Sequence, residues 1–151
     1  MDLKELSKPL DVSQVQFRVQ SINKGGYATI LAYKDARVDM DRLDEVVGHG
    51  RWQRKHEVIN GQLFCSVGIY NEEIQQWVWV QDVGTESSAE KEKGQASDAF
   101  KRACFNLGIG RELYGYPSIQ IKLKDNEWEL FNNKPKQTWN LKIKDWLWYA
   151  E

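Results

Sequence analysis

The chain has 151 residues, 41% of them hydrophobic and 12% aromatic, which is enough for one domain with a real core and too little for two. Its formal net charge of −1 argues against a protein that coats nucleic acid through bulk attraction, so any polyanion has to be met by a local patch. No apolar run approaches the length that spans a bilayer, and the opening residues MDLKELSKPLDV lack the charged head and apolar stretch of a signal peptide, so a soluble, cytoplasmic protein is expected.

In chain order, Leu3 to Leu6 suggests a short amphipathic helix closed by Pro9. Val15, Phe17 and Val19 then alternate with Gln16, Arg18 and Gln20, which is strand periodicity. After a loop at 23–26, residues 27–33 are rich in β-branched and aromatic side chains and read as a second strand ending at Tyr33. Lys24 sits at the mouth of that loop beside two glycines, where a backbone can approach a phosphate; a solvated turn lysine fits the same residues. Residues 35–47 read as a helix in which Val38, Leu43, Val46 and Val47 alternate with Asp39, Asp41, Asp44 and Glu45. These carboxylates are expected to form a solvated acidic face, because no lysine or histidine follows at a spacing that would complete a nuclease metal site. Gly48 and Gly50 end the helix.

Asn60-Gly61 is the dipeptide favoured by a two-residue type I′ turn, since both central residues need positive φ. Pairing around it sets Trp52, Arg54, His56 and Val58 on one face with Ile69, Val67, Cys65 and Leu63. The other face carries Arg51, Gln53, Lys55 and Glu57 opposite Tyr70, Gly68, Ser66 and Phe64, a mixture of bases and aromatics on a wet surface. His56 reads as a packed core histidine and His49 as a loop residue, neither with the partners of a catalytic base. Cys65 and Cys104 both fall on core faces and read as reduced, buried thiols. Glu72-Glu73 makes the next turn, and residues 74–83 form the third strand of a meander. Trp77 and Trp79 share one face of it and Val78 and Val80 the other. A one-residue slip would exchange which pair is buried, and two tryptophans on one face read most simply as core or as a subunit contact.

The stretch from 83 to 114 organises the rest. Ser87 followed by Glu90 has the capping-box arrangement that starts a helix. Ala96, Ala99, Phe100, Ala103, Cys104 and Leu107 then recur at three- and four-residue steps and face the core. Gly108 supplies the left-handed position that ends the helix, with Ile109 folding back on its last turn. The opposite side carries Lys91, Gly94, Gln95, Asp98, Lys101, Arg102 and Phe105. Two readings of that side stand. Asp98 forms helical pairs with the two bases; or Lys101 and Arg102 meet phosphates while flat rings such as Phe105 stack on bases, the combination used in sequence-tolerant single-strand binding.

The run GTES, the helix segment SDAFKRA and the exit LGIGRELY resemble the signature of the Rad52/Rad22 superfamily of single-strand annealing proteins, especially its phage Sak-type and bacterial DdrA-type branches. Similarity is densest over 83–117 and extends more loosely back to about Tyr27. The Asp-x-x-Lys-Arg-Ala spacing and the Gly-Ile-Gly-Arg-x-Leu-Tyr that follows make the match specific. The resemblance implies an α+β fold, an antiparallel β-meander packed against a long helix as a single domain, with identical subunits joined edge to edge in a ring. It implies ATP-independent binding and annealing of single-stranded DNA in homologous recombination or repair, with a single-strand binding protein or another recombination protein as a partner. It places Lys101 and Arg102 in the principal DNA groove and aligns Tyr33 with an aromatic position there. Arg111 falls in the exit motif, where a phosphate contact and a pair with Glu112 are both open. Phe105 stands where eukaryotic relatives carry another base, and Gln62 where some carry lysine at the hairpin tip. The DNA is expected between the hairpin and the helix over 90–107, met by Lys101 and Arg102 with help from Arg51, Lys55 and Lys24.

Past Pro117, Ile119, Ile121 and Leu123 alternate with polar residues as a strand does. Trp128, Trp139, Trp146 and Trp148 lie in a tail interrupted by NNKPK, and four tryptophans in so short a tail are expected to pack on the domain or a neighbouring subunit. The organisation expected is therefore an annealing core over 1–117 and a tryptophan-rich extension over 118–151. No phosphate-cradling glycine loop, nucleophile elbow, zinc spacing or dinucleotide fingerprint occurs, so no enzyme, cofactor or metal is expected. Two other classes remain to be distinguished from annealing: a structural module that forms an oligomer without DNA, and a metal-dependent nuclease.

Overall fold

A computed structural model describes residues 2–85, 91–115 and 119–141 of the chain. In order, the elements are a 3₁₀ turn at Leu3–Ser7, another at Val12–Gln14, β1 (Gln16–Ile22), β2 (Tyr27–Tyr33), α1 (Ala36–Val46), β3 (Trp52–Ile59), β4 (Gln62–Asn71), β5 (Gln76–Val83), α2 (Lys91–Asn106), a 3₁₀ turn at Arg111–Gly115, β6 (Ile119–Lys122), β7 (Trp128–Phe131) and β8 (Lys134–Gln137). The fold is α+β and its sheets are antiparallel, as the alternating patterns lead one to expect. Two compact units divide it, residues 1–9 with 35–111 and residues 10–34 with 112–151.

The first unit holds the meander β3-β4-β5 with α2 packed on one face. Asn60 and Gly61 have φ of 52° and 79°, the positive pair that a type I′ turn needs. The resulting register pairs Trp52 with Ile69, Arg54 with Val67 and His56 with Cys65, as the dipeptide predicts. The turn into β5 is longer than Glu72-Glu73 alone, with Gln75 at φ 52°, and pairs Val67 with Val80, Gly68 with Trp79 and Tyr70 with Trp77. That register settles the open choice: Val78 and Val80 lie on the helix side, and the two tryptophans point away from it. Cys65, Val67 and Ile69 pack beneath Ala99, Phe100, Ala103 and Cys104, with Leu6, Leu43, Val47 and Ile109 closing the core.

The capping residues Ser87 and Glu90 lie outside the described residues. The other end of α2 is built as expected. The Ile109 amide donates to the Cys104 carbonyl and the Gly108 amide to the Phe105 carbonyl, with Gly108 at φ 103°, a Schellman closure. Ile109 is fully buried.

The solvated acidic face expected on α1 is a correction. Asp39 is fully buried, and Asp44 accepts a 2.7 Å hydrogen bond from Trp52 Nε1. Arg42, 3% exposed, donates to the carbonyls of Leu6 at 3.0 Å and Lys8 at 2.7 Å, groups left without helical partners where the Leu3–Ser7 turn ends. A helix covered on more than one side keeps a narrower wet stripe than its own periodicity suggests. No group of acidic, histidine and cysteine side chains fit to hold a metal occurs among the described residues.

The second unit contains the sheet β1-β2-β6 and the hairpin β7-β8. Val15, Phe17, Ala28, Ile30 and Leu123 are buried apolar side chains on or flanking its strands, and a bulge between Val19 and Ser21 breaks the register of β1. The NNKPK interruption is a turn: Asn132 and Asn133 take φ of 50° and 62°, and Lys134-Pro135-Lys136 continues as β8. Trp146 and Trp148 lie outside the described residues.

Candidate nucleic-acid interface

The side chains expected to meet a polyanion fall on different surfaces. Lys101 and Arg102 ride on the flanks of α2, anchored from below by the fully buried neighbours Phe100 and Ala103. Asp98 does not pair with both of them. Its Oδ2 accepts from the Thr85 amide at 2.9 Å and the Thr85 hydroxyl at 3.1 Å, and lies 3.6 Å from Arg102 Nε. Lys101 has no hydrogen-bond or ion-pair partner among the described residues. At these two positions α2 therefore presents an ammonium without a partner among the described residues and a loosely paired guanidinium.

Close packing sets where α2 lies. A Cβ on Gly84 would stand 2.2 Å from the Gln95 carbonyl oxygen, so only glycine lets the end of β5 run this near the helix. At the far end, Asn106 Nδ2 donates to the Gln81 carbonyl at 3.3 Å and to Asp82 Oδ2 at 3.2 Å. Arg111 serves the same task. Its Nε donates to the Phe105 carbonyl and its Nη2 to the Asn106 carbonyl, both at 2.9 Å, and its guanidinium lies 5.6 Å from the Phe105 ring centre. It closes the helix terminus and forms no pair with Glu112, whose carboxylate accepts from the Leu10 amide.

Arg51 and Lys55 do not join Lys101 and Arg102. They belong to the side of the meander that faces away from α2. There the Lys55 ammonium lies 4.7 Å from the Trp79 ring centre, and Arg51 lies 5.4 Å from the Tyr70 ring while its Nη1 pairs with Glu72. Trp77 stands between Tyr70 and Trp79, 5.7 Å and 6.2 Å from their ring centres. Trp79, 41% exposed, lies flat over Gly68, where an added Cβ would stand 2.8 Å from the indole. The expected groove between hairpin and helix thus has its two hairpin cations on the wrong face within this unit. The reason is the period of two along β3, which alternates their direction with that of Arg54.

Arg54 is a further cation, on the helix side of β3. It occupies a nominally core-facing position, yet it is exposed, with its guanidinium carbon 4.2 Å from the Phe100 ring centre and its Nη2 3.1 Å from His56 Nε2. Arginine only donates, so Nε2 accepts and the imidazole is the neutral Nδ1–H tautomer. Burial, helped by the Arg54 charge, lowers the His56 pKa and keeps the ring neutral. Burial also pushes the Cys65 thiol up to about 11, against a smaller opposing pull from Arg54, so it is no nucleophile. The available signal was an arginine at an inward position of an edge strand, where a long stem reaches past a helix to water.

In the second unit, Lys24 is exposed and the glycine loop beside it is filled by the protein itself. Asn23 Oδ1 accepts from the amides of Gly25 and Tyr27, at 2.9 Å and 3.0 Å, and a Cβ on Gly26 would stand 2.9 Å from the Trp128 indole. The close approach that glycine permits here is made by tryptophan. Tyr33 is half-buried, with Arg18 5.4 Å from its ring centre.

The profile of the Rad52/22 family double-strand break repair proteins matches residues 3–129. The chain belongs to that family. Among curated proteins similar to it, the single-stranded DNA-binding protein DdrA of Deinococcus radiodurans is 33% identical over 122 residues, 76% of this chain and 55% of that protein. DdrA of Deinococcus deserti is 33% identical over 130 residues, 81% of this chain and 61% of that protein. The Rad52/22 chain described here thus spans between half and two thirds of the length of these relatives. No helix among its described residues is long and apolar enough to cross a membrane.

Proposed function

We propose that this chain binds single-stranded DNA and anneals complementary strands without ATP, in recombination or repair inside the cell. The observation that carries the reading is the Lys101–Arg102 pair on the flanks of α2, one cation without a partner among the described residues and one loosely paired, in a chain whose net charge is −1. Membership of the Rad52/22 family and likeness to two proteins named for single-stranded DNA binding support it. Annealing needs no bond made or broken. It needs phosphates neutralised from one side while the bases stay free to test a second strand.

In this reading residues 1–117 are the annealing core and 118–151 an extension against it or a neighbouring subunit. Subunits join through the edge strands β3 and β5 into a ring. Lys101 and Arg102 are the principal phosphate contacts. Lys24 and Tyr33 are candidates from the second unit, and Phe105, Arg51 and Lys55 from the first. Arg111 closes the helix terminus, and its remaining N–H groups make it a further candidate. A single-strand binding protein or another recombination protein is the expected partner, and no cofactor is needed.

The test is binding and annealing of oligonucleotides across a salt series by the native chain and a Lys101→Ala, Arg102→Ala double variant checked for fold and assembly. Loss of two contacts lowers the slope of log K against log salt by about 1.4. No binding by the native chain at low salt overturns the reading in favour of an assembly module, which the exposed Leu130, Phe131 and Trp139 would then serve. Cleavage of labelled DNA with magnesium or manganese would instead indicate a nuclease.

A further inference from the structure

We infer that Arg54 is a further phosphate contact on the helix side of the meander, held in place by Phe100 and His56; this rests on the proposed single-stranded DNA binding. The ligand chemistry is the phosphodiester backbone of a single strand. Four observations converge on it.

Arg54 is exposed although its strand position faces the helix side, paired across with the fully buried Val67. Its guanidinium lies over Phe100 at 4.2 Å, and Phe100 belongs to the same helix, α2, as Lys101 and Arg102. It has no carboxylate partner among the described residues, unlike Arg51 and Arg102. One N–H is donated to His56 Nε2 at 3.1 Å, which orients the planar group and leaves the remaining donors for an incoming anion. A guanidinium fixed by a ring and an acceptor loses little freedom when a phosphate arrives.

The alternative is an arginine that merely covers Phe100 from water. That role gives stability, and it leaves the number of counterions released on binding unchanged. The experiment is fluorescence anisotropy of a labelled oligothymidylate over a salt series, with Arg54→Gln, Arg54→Lys, Lys8→Ala and the Lys101→Ala, Arg102→Ala variant. Glutamine keeps a polar stem over the ring without the charge. The expected result is a slope reduced by about 0.7 in Arg54→Gln and restored in Arg54→Lys, because the slope counts charges, with affinity short of native because lysine lacks the fork. Lys8→Ala, at an exposed lysine already paired with Glu45 at 3.3 Å, keeps the native slope.

A native slope in Arg54→Gln overturns the inference while leaving the proposed function intact, provided the helix double variant still loses its share. Absence of binding by the native chain overturns both. Should Arg54→Gln fail to fold, Arg54→Lys decides alone: native slope with weakened affinity supports the contact, and affinity and slope both native overturn it.

Discussion

The two faces of the β3-β4-β5 meander carry similar numbers of cations and use them in opposite ways. On the open face each base is matched within the sheet surface, Lys55 by the Trp79 ring and Arg51 by both Tyr70 and Glu72. On the helix side the apolar residues are consumed by the core, and the cations at its rim, Arg54 and Lys101, have no carboxylate among the described residues. Net charge distinguishes neither face. What differs is whether the neighbours that could neutralise a base are themselves committed to packing. A nearly neutral chain can thus own a locally positive surface wherever a buried helix lifts lysine and arginine above an apolar floor.

The most damaging way to break this contrast is to remove the floor. Phe100→Ala is expected to cost about 3–5 kcal/mol in urea unfolding, because the ring is fully buried, stacks on Trp52 and seats Arg54. A small effect would mean that the helix side is not anchored as described. The open face is tested next by Gly68→Ala, which forces the Trp79 indole off the sheet and is expected to cost about 1–3 kcal/mol with a shift in tryptophan emission. Unchanged emission would show that Trp79 does not lie on that glycine.

A smaller effect comes from pH. His56 titrates below its ordinary value of 6.5 in the folded chain, so between that value and its lowered one the unfolded state binds more protons. Stability is therefore full above pH 6.5 and declines as pH falls towards the lowered folded value. His56→Gln is expected to flatten that decline, and an identical profile would assign it to other groups. Smallest is Lys55→Ala, worth about 0.5–1 kcal/mol by loss of its contact with Trp79. A larger loss would make the open face more than a surface pairing.

Much of the architecture was legible because local chemistry decided it. Asn60-Gly61 set a hairpin register that holds from the Trp52–Ile69 pair to the Ile59–Gln62 pair, and the small-residue stripe with Gly108 defined the core face and end of α2. Where short-range signals were weaker, the reading stayed open or went astray. The choice between Val78/Val80 and Trp77/Trp79 depended on the length of a turn containing a left-handed Gln75. NNKPK looked like an interruption because its proline is tolerated in a two-stranded hairpin.

Composition, periodicity and turn chemistry by themselves determined that this is an α+β chain with a meander, a long amphipathic helix and two cations on that helix's outer side, since each depends on residues within a few positions of one another. Only the tertiary structure decided that Arg51 and Lys55 lie across the sheet from those cations, that Asp39 and Arg42 are buried, and that Arg54 stands exposed over Phe100. Those outcomes depend on which face a second element covers, a property of packing between segments far apart in the chain.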